Sequence, residues 1–186
     1  MKIDRVQIWG LALAIITGAA TFTSTQHAHA APSLVLLQDN YDDNPVYRRV
    51  IESLGAVIVA NNLGRHYDHI DVLVGPRATR EHLLAQIRKR GAKSAVDVVI
   101  LTHGTDKKLK LSLGDITDEN LRAAGPLPGL RMVYMMACYS ASMLDAWRAV
   151  GAQVVVGHQD LNSLPGFFFP RSYGAGAKVS RPASPP

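Results

Sequence analysis

Val96-Asp97-Val98-Val99-Ile100-Leu101-Thr102-His103-Gly104 and Arg131-Met132-Val133-Tyr134-Met135-Met136-Ala137-Cys138 are two apolar runs, each ending in a reactive side chain. A run of about six apolar residues bounded by turn signals reads as a buried strand. The first is preceded by a helical pattern: Thr79 as cap, Leu83, Leu84 and Ile87 on one face, and Gly91 closing after Arg90. The second is followed by residues that predict a helix running from Cys138 to about Val150, ended by Gly151. Strand and helix alternate here, and that order predicts a parallel sheet covered on both faces.

The same reading extends outward. Ser33-Leu-Val-Leu-Leu37 is a first buried strand. Asn44-Pro45 opens a helix with Val46, Val50, Ile51 and Leu54 as its apolar face, and Gly55 ends it. Ala56-Val-Ile-Val59 reads as a second strand, and Asp71-Val-Leu-Val74, stopped by Gly75-Pro76, as a short third. Leu109, Leu111 and Leu113 alternate with polar residues, as in a small hairpin or edge strand. Thr117 caps a short helix with Asp118 and Glu119 in its first turn, and Gly125-Pro126 stops it. Gln153-Val-Val-Val156 is a last strand, ending at Gly157-His158. The fold class is therefore α/β, a three-layer α/β/α sandwich with a mainly parallel sheet. It spans residues 31–173, without internal repeats and followed by a flexible Pro-rich tail over 174–186.

Residues 1–30 read as a signal peptide. Lys2 and Arg5 precede an uncharged stretch centred on Leu11-Ala-Leu-Ala-Ile-Ile16, and Ala28-His29-Ala30 fits a small-x-small cleavage site. Gln7, Gly10, Thr17, Gly18 and Thr21 interrupt the apolar stretch, so no stable membrane anchor is expected, and no cysteine follows it to carry a lipid. The mature chain is expected to be exported, periplasmic or secreted, with 156 residues and a net charge of +4. Neither the whole-chain charge of +5 nor its longest basic run, Arg88-Lys89-Arg90, indicates a nucleic-acid partner.

The single cysteine excludes an internal disulfide framework and multi-cysteine metal sites. His66-Tyr67-Asp68-His69 lacks further ligand spacing and reads as a polar loop, so no metal is expected. Phe167-Phe168-Phe169 reads as a segment packed on the core, and His158 as a loop histidine.

Ligands of open parallel sheets bind outside the carboxyl ends of the strands. His103 and Cys138 both stand at such ends. On neighbouring strands, about 4.8 Å apart, imidazole and thiol would share one edge. If Cys138 opens a helix, the positive end of the helix dipole favours its thiolate. Gly104 leaves the backbone open to a substrate carbonyl, and the N–H groups of Gly104 and Cys138 are candidates for an oxyanion hole. A Cys-x5-Arg phosphatase loop is excluded, because Leu144 occupies the arginine position. No Gly-x-Ser-x-Gly elbow is present, and Gln38-Asp-Asn-Tyr-Asp-Asp43 stands where a dinucleotide loop would be.

A strand ending in His103-Gly104, then a strand ending in Ala137-Cys138 and continuing Tyr139-Ser140, resembles the caspase/legumain-like cysteine peptidases. Ala78-Thr79 opening the helix before the histidine strand, and Gly151-Ala152 leading into Val154–Gly157, extend the resemblance over residues 33–160. The resemblance implies a caspase-like sandwich and a peptidase acting on peptide or protein substrates without metal or organic cofactor. Cys138 is the implied nucleophile, His103 the acid/base and Gly104 an oxyanion donor. In such families the loop after the first strand helps form the pocket for the residue before the scissile bond. Asp39, Asp42 and Asp43 lie there, and Asp160 follows the last strand. Carboxylates in that pocket would select Arg or Lys. Two other readings of the same residues stay open: a non-catalytic binding module on this scaffold, and an interaction protein whose single cysteine forms an intermolecular disulfide.

Overall fold

Ser33–Asp39 (β1) is buried at every position and forms the hub of the sheet. It pairs in parallel on one side with β2 (His69–Val74) and on the other with β3 (Val96–Thr105). This is a computed structural model, and it describes residues 31–39, 45–160 and 177–180. Beyond β3 come β6 (Leu130–Met136) and β7 (Val154–His158), both parallel, then β8 (Ala177–Ser180), antiparallel. The strand order is β2-β1-β3-β6-β7-β8. At the far end of β3 a small antiparallel ribbon branches off through β4 (Lys108–Lys110) and β5 (Ile116–Thr117).

Alternating side chains build two cores on the two faces of the sheet. On one face Val98 and Ile100 of β3 and Val133 and Met135 of β6 pack beneath three helices, α2 (Arg80–Gly91), α3 (Asp118–Ala123) and α4 (Leu144–Ala149). Their inward residues include Leu83, Ile87, Leu121 and the fully buried Trp147. On the other face Val99, Leu101, Tyr134 and Met136 pack with Val59 of α1 (Pro45–Leu63). The result is the expected α/β/α sandwich with a mainly parallel sheet. Truncating an inward side chain such as Ile100 to alanine costs about 2–5 kcal/mol.

The caps behave as their chemistry dictates. Thr79 accepts from the His82 N–H at the start of α2. Thr117 and Asn120 form a reciprocal capping box at the start of α3. Asp97, the one charge within the β3 run, is buried but accepts from both the Arg131 guanidinium and the Tyr67 hydroxyl. Pairing of that kind is the condition for burying a carboxylate.

The sequence reading needs correction in five places. Ala56-Val-Ile-Val59 is not a strand: α1 continues through it to Leu63. Gly55 is not a terminator either. A Cβ there would meet the Gln38 side chain at 2.5 Å, so this glycine serves the close approach of α1 to β1. The expected apolar face of that helix is turned outward in part, with Val46 70% and Val50 57% exposed. No α-helix starts at Cys138: Tyr139 is left-handed at φ 56°, a 3-10 turn spans Ser140–Met143, and α4 begins only at Leu144. Finally, residues 177–180, expected within a flexible tail outside the domain, form β8 beside β7.

The expected signal over residues 1–30, Asn44, Asp42, Asp43 and Phe167–Phe169 lie outside the described residues. Among the described residues no helix is long and apolar enough to cross a membrane.

Candidate active site

β3 and β6 are direct neighbours, and the last pair of their ladder is Leu101 with Met136. His103 and Cys138 each lie two residues further along. Leu101 and Met136 belong to the core on the α1 face, whereas Ala137 belongs to the opposite core. His103 is still within β3, whereas β6 ends at Met136 and Cys138 lies in the turn just beyond it. His103 is exposed and Cys138 half-buried, so the edge is open to solvent at the imidazole and partly closed around the thiol.

The seat of Cys138 is made by backbone contact. A Cβ on Gly104 would fall 2.2 Å from the Cys138 carbonyl oxygen and 3.1 Å from the Ala137 Cβ. The space that the sequence reading assigned to a substrate carbonyl is thus filled, on this side of Gly104, by the carbonyl of Cys138 itself. Glycine is required because nothing larger admits the cysteine loop against β3.

Two serines, Ser140 and Ser142, hold this loop, a role the sequence reading gave to neither. Ser140 is fully buried; its hydroxyl donates to the Ala137 carbonyl at 2.7 Å and accepts from the His158 N–H at 3.0 Å. It ties the end of β6 to β7, where a Cβ at Gly157 would meet the Ser140 backbone at 2.8 Å. Ser142 reaches the other way. Its hydroxyl accepts from the Lys107 N–H at 2.6 Å and donates to the Tyr139 carbonyl at 2.8 Å. Serines two and four positions past a strand-end cysteine were the only sequence signal of this bracing, and serine is too common in turns for that to be diagnostic.

The expected substrate-binding carboxylates separate. Asp39 is 1% exposed, and its two oxygens accept from the Ser112 N–H and hydroxyl. It is a buried anchor between the end of β1 and the loop after β4, which corrects its assignment to a substrate pocket. Asp160 is exposed next to the cysteine loop, its carbonyl accepting from the Tyr139 N–H at 3.2 Å.

His158 ends β7, where the sequence placed the end of the last strand. Its ring stands edge-on to Tyr134 with centroids 6.2 Å apart, half-buried, its Nε2 without a hydrogen-bond partner among the described residues. Burial pushes its pKa below the ordinary imidazole value. No cluster of three or more His, Cys, Asp or Glu suited to a metal occurs among the described residues.

No family model matches the sequence, and no curated protein matches it. Among solved structures, the chain is similar to a secreted C11 cysteine protease from Bacteroides thetaiotaomicron in complex with an irreversible peptide inhibitor. The identity is 11%, the TM-score 0.46, and 74% of this chain and 51% of that one are covered. It is also similar to caspase-1 from Spodoptera frugiperda, at 16% identity and a TM-score of 0.39, with 59% of this chain and 48% of that one covered. The chain thus spans about half the length of either structure. At these identities and scores the likeness bears on neither individual residues nor activity.

Proposed function

We propose that this chain is an exported cysteine endopeptidase of the caspase/legumain-like class that hydrolyses peptide bonds with a Cys138–His103 dyad. One observation carries the reading: β3 and β6 are adjacent parallel strands, and His103 and Cys138 each lie two residues beyond the last pair of their ladder, Leu101 with Met136. A structural cysteine needs no such partner.

In the proposed reaction His103 takes the thiol proton and the Cys138 thiolate adds to the scissile carbonyl. The N–H groups of Gly104 and Cys138 receive the developing oxyanion. His103 then returns the proton to the leaving amine, and water, deprotonated by the same imidazole, releases the acyl group. Asp160, on the far side of the cysteine loop from His103, is the proposed contact for a basic residue before the scissile bond, together with Asp42 and Asp43.

The test is turnover of fluorogenic peptides together with covalent labelling by electrophilic peptide probes, located by mass spectrometry. The expected result is labelling at Cys138, with turnover abolished in Cys138→Ala and reduced by about 10²-fold or more in His103→Ala. A folded protein that neither labels nor cleaves supports a binding module instead. A disulfide-linked dimer that dissociates on reduction supports an interaction protein.

A further inference from the structure

Among the described residues only two other than glycine adopt a positive φ: Lys107 at 54° and Tyr139 at 56°. Left-handed backbone is unfavourable for either side chain, and it persists only where the surroundings enforce it. The two positions are far apart in sequence but flank the two halves of the proposed dyad. Lys107 lies in the turn that joins β3, with His103, to β4. Tyr139 directly follows Cys138.

One hydroxyl joins them. Ser142 Oγ accepts from the Lys107 N–H at 2.6 Å and donates to the Tyr139 carbonyl at 2.8 Å. A serine hydroxyl has one proton to donate and lone pairs to accept, so both bonds form at once. The ends of the strained segments are tied elsewhere too: the Lys107 carbonyl accepts from the Asp118 N–H, and the Tyr139 N–H donates to the Asp160 carbonyl. Those ties fix each turn to its own surroundings. Among these bonds only the Ser142 hydroxyl links one turn to the other.

We propose that Ser142 is a positioning residue that sets the distance between the His103 strand end and the Cys138 loop, an inference that rests on the peptidase reading. Without the hydroxyl each turn can relax toward ordinary φ values independently, and the imidazole and thiol lose their common register. A misplacement of about 1 Å is enough to cost about 10²-fold in rate.

The experiment compares the full chain with Ser142→Ala and Ser142→Thr, which keeps a hydroxyl. Peptide turnover is measured well below each melting temperature, and iodoacetamide alkylation of Cys138 is followed from pH 5 to 9. Ser142→Ala is expected to lower kcat by about 10- to 100-fold with KM little changed, and to slow alkylation at pH 6 toward that of a free thiol. Ser142→Thr is expected to retain both properties. Should Ser142→Ala melt earlier yet keep the wild-type kcat and alkylation profile, the hydroxyl only stabilises the fold and the proposal fails. If the wild-type thiol itself alkylates like free cysteine and cleaves nothing, the peptidase reading fails, and the positioning role with it.

Discussion

Gly104 carries more of the proposed site than its size suggests. With the Cys138 carbonyl where a Cβ would stand, Gly104→Ala must push the cysteine loop off β3. The expected result is a loss of turnover of about 10²-fold or more, with a stability loss of about 1–3 kcal/mol from overpacking. Peptide assays and thermal melting check both. Asp160→Asn tests the pocket: it should weaken cleavage after Arg or Lys while sparing an uncharged residue at that position, because a charge-assisted pair is lost. A wild-type preference for cleavage after Asp or Asn would contradict the assignment. Asp39→Ala is predicted to act differently, lowering stability by about 1.5–3 kcal/mol by stranding the Ser112 donors, with no change in substrate preference.

At the scale of elements, what was legible was what local chemistry decides. The strands through Ile100 and Met135 are unbroken apolar runs, and Thr79 and Thr117 cap the helices their spacing announced. The stretch Ala56–Val59 was misread because four apolar residues after a glycine carry no period, and only the packing of α1 on β1 reveals Gly55 as a contact position. The edge position of His103 and Cys138 followed from strand order and was readable. The register of β3 on β6 was not, since no residue pattern encodes which strand neighbours which. The helix expected at Cys138 failed because Tyr139 turns left-handed, a conformation that its side chain does not advertise. The thiol therefore has no α-helix terminus beside it, and the proposed reaction leaves its deprotonation to His103. The braces also predict element-scale behaviour. Ser140→Ala removes a buried hydroxyl that serves two strands, and should cost about 1–3 kcal/mol, measurable by denaturant unfolding.

For the whole molecule, acid is the expected stress. Both perturbed groups that matter have folded pKa values below their unfolded ones, so each binds protons more readily when unfolded and stability falls as pH falls. For His158 the contribution is complete above the ordinary imidazole value of 6.5 and is lost as pH drops through the depressed value. The Arg90 fork, at 2.6 and 2.9 Å, holds the Asp71 carboxyl below the ordinary 3.8, and its contribution is lost only below that value. Denaturant melts from pH 3 to 8 should show two separate declines, the upper one absent in His158→Leu and the lower one absent in Asp71→Asn. The fold is expected to survive neutral conditions without Cys138 or His103, since neither is a buried core side chain. That separation of stability from chemistry makes the proposed dyad directly measurable, by the iodoacetamide rate of Cys138 at pH 6–7 in the wild type and in His103→Ala. The expected wild-type rate is well above that of free cysteine, whose thiol at about pKa 8.5 is mostly protonated there, and it falls toward that rate in His103→Ala. Equal rates in free cysteine, wild type and His103→Ala would contradict the dyad.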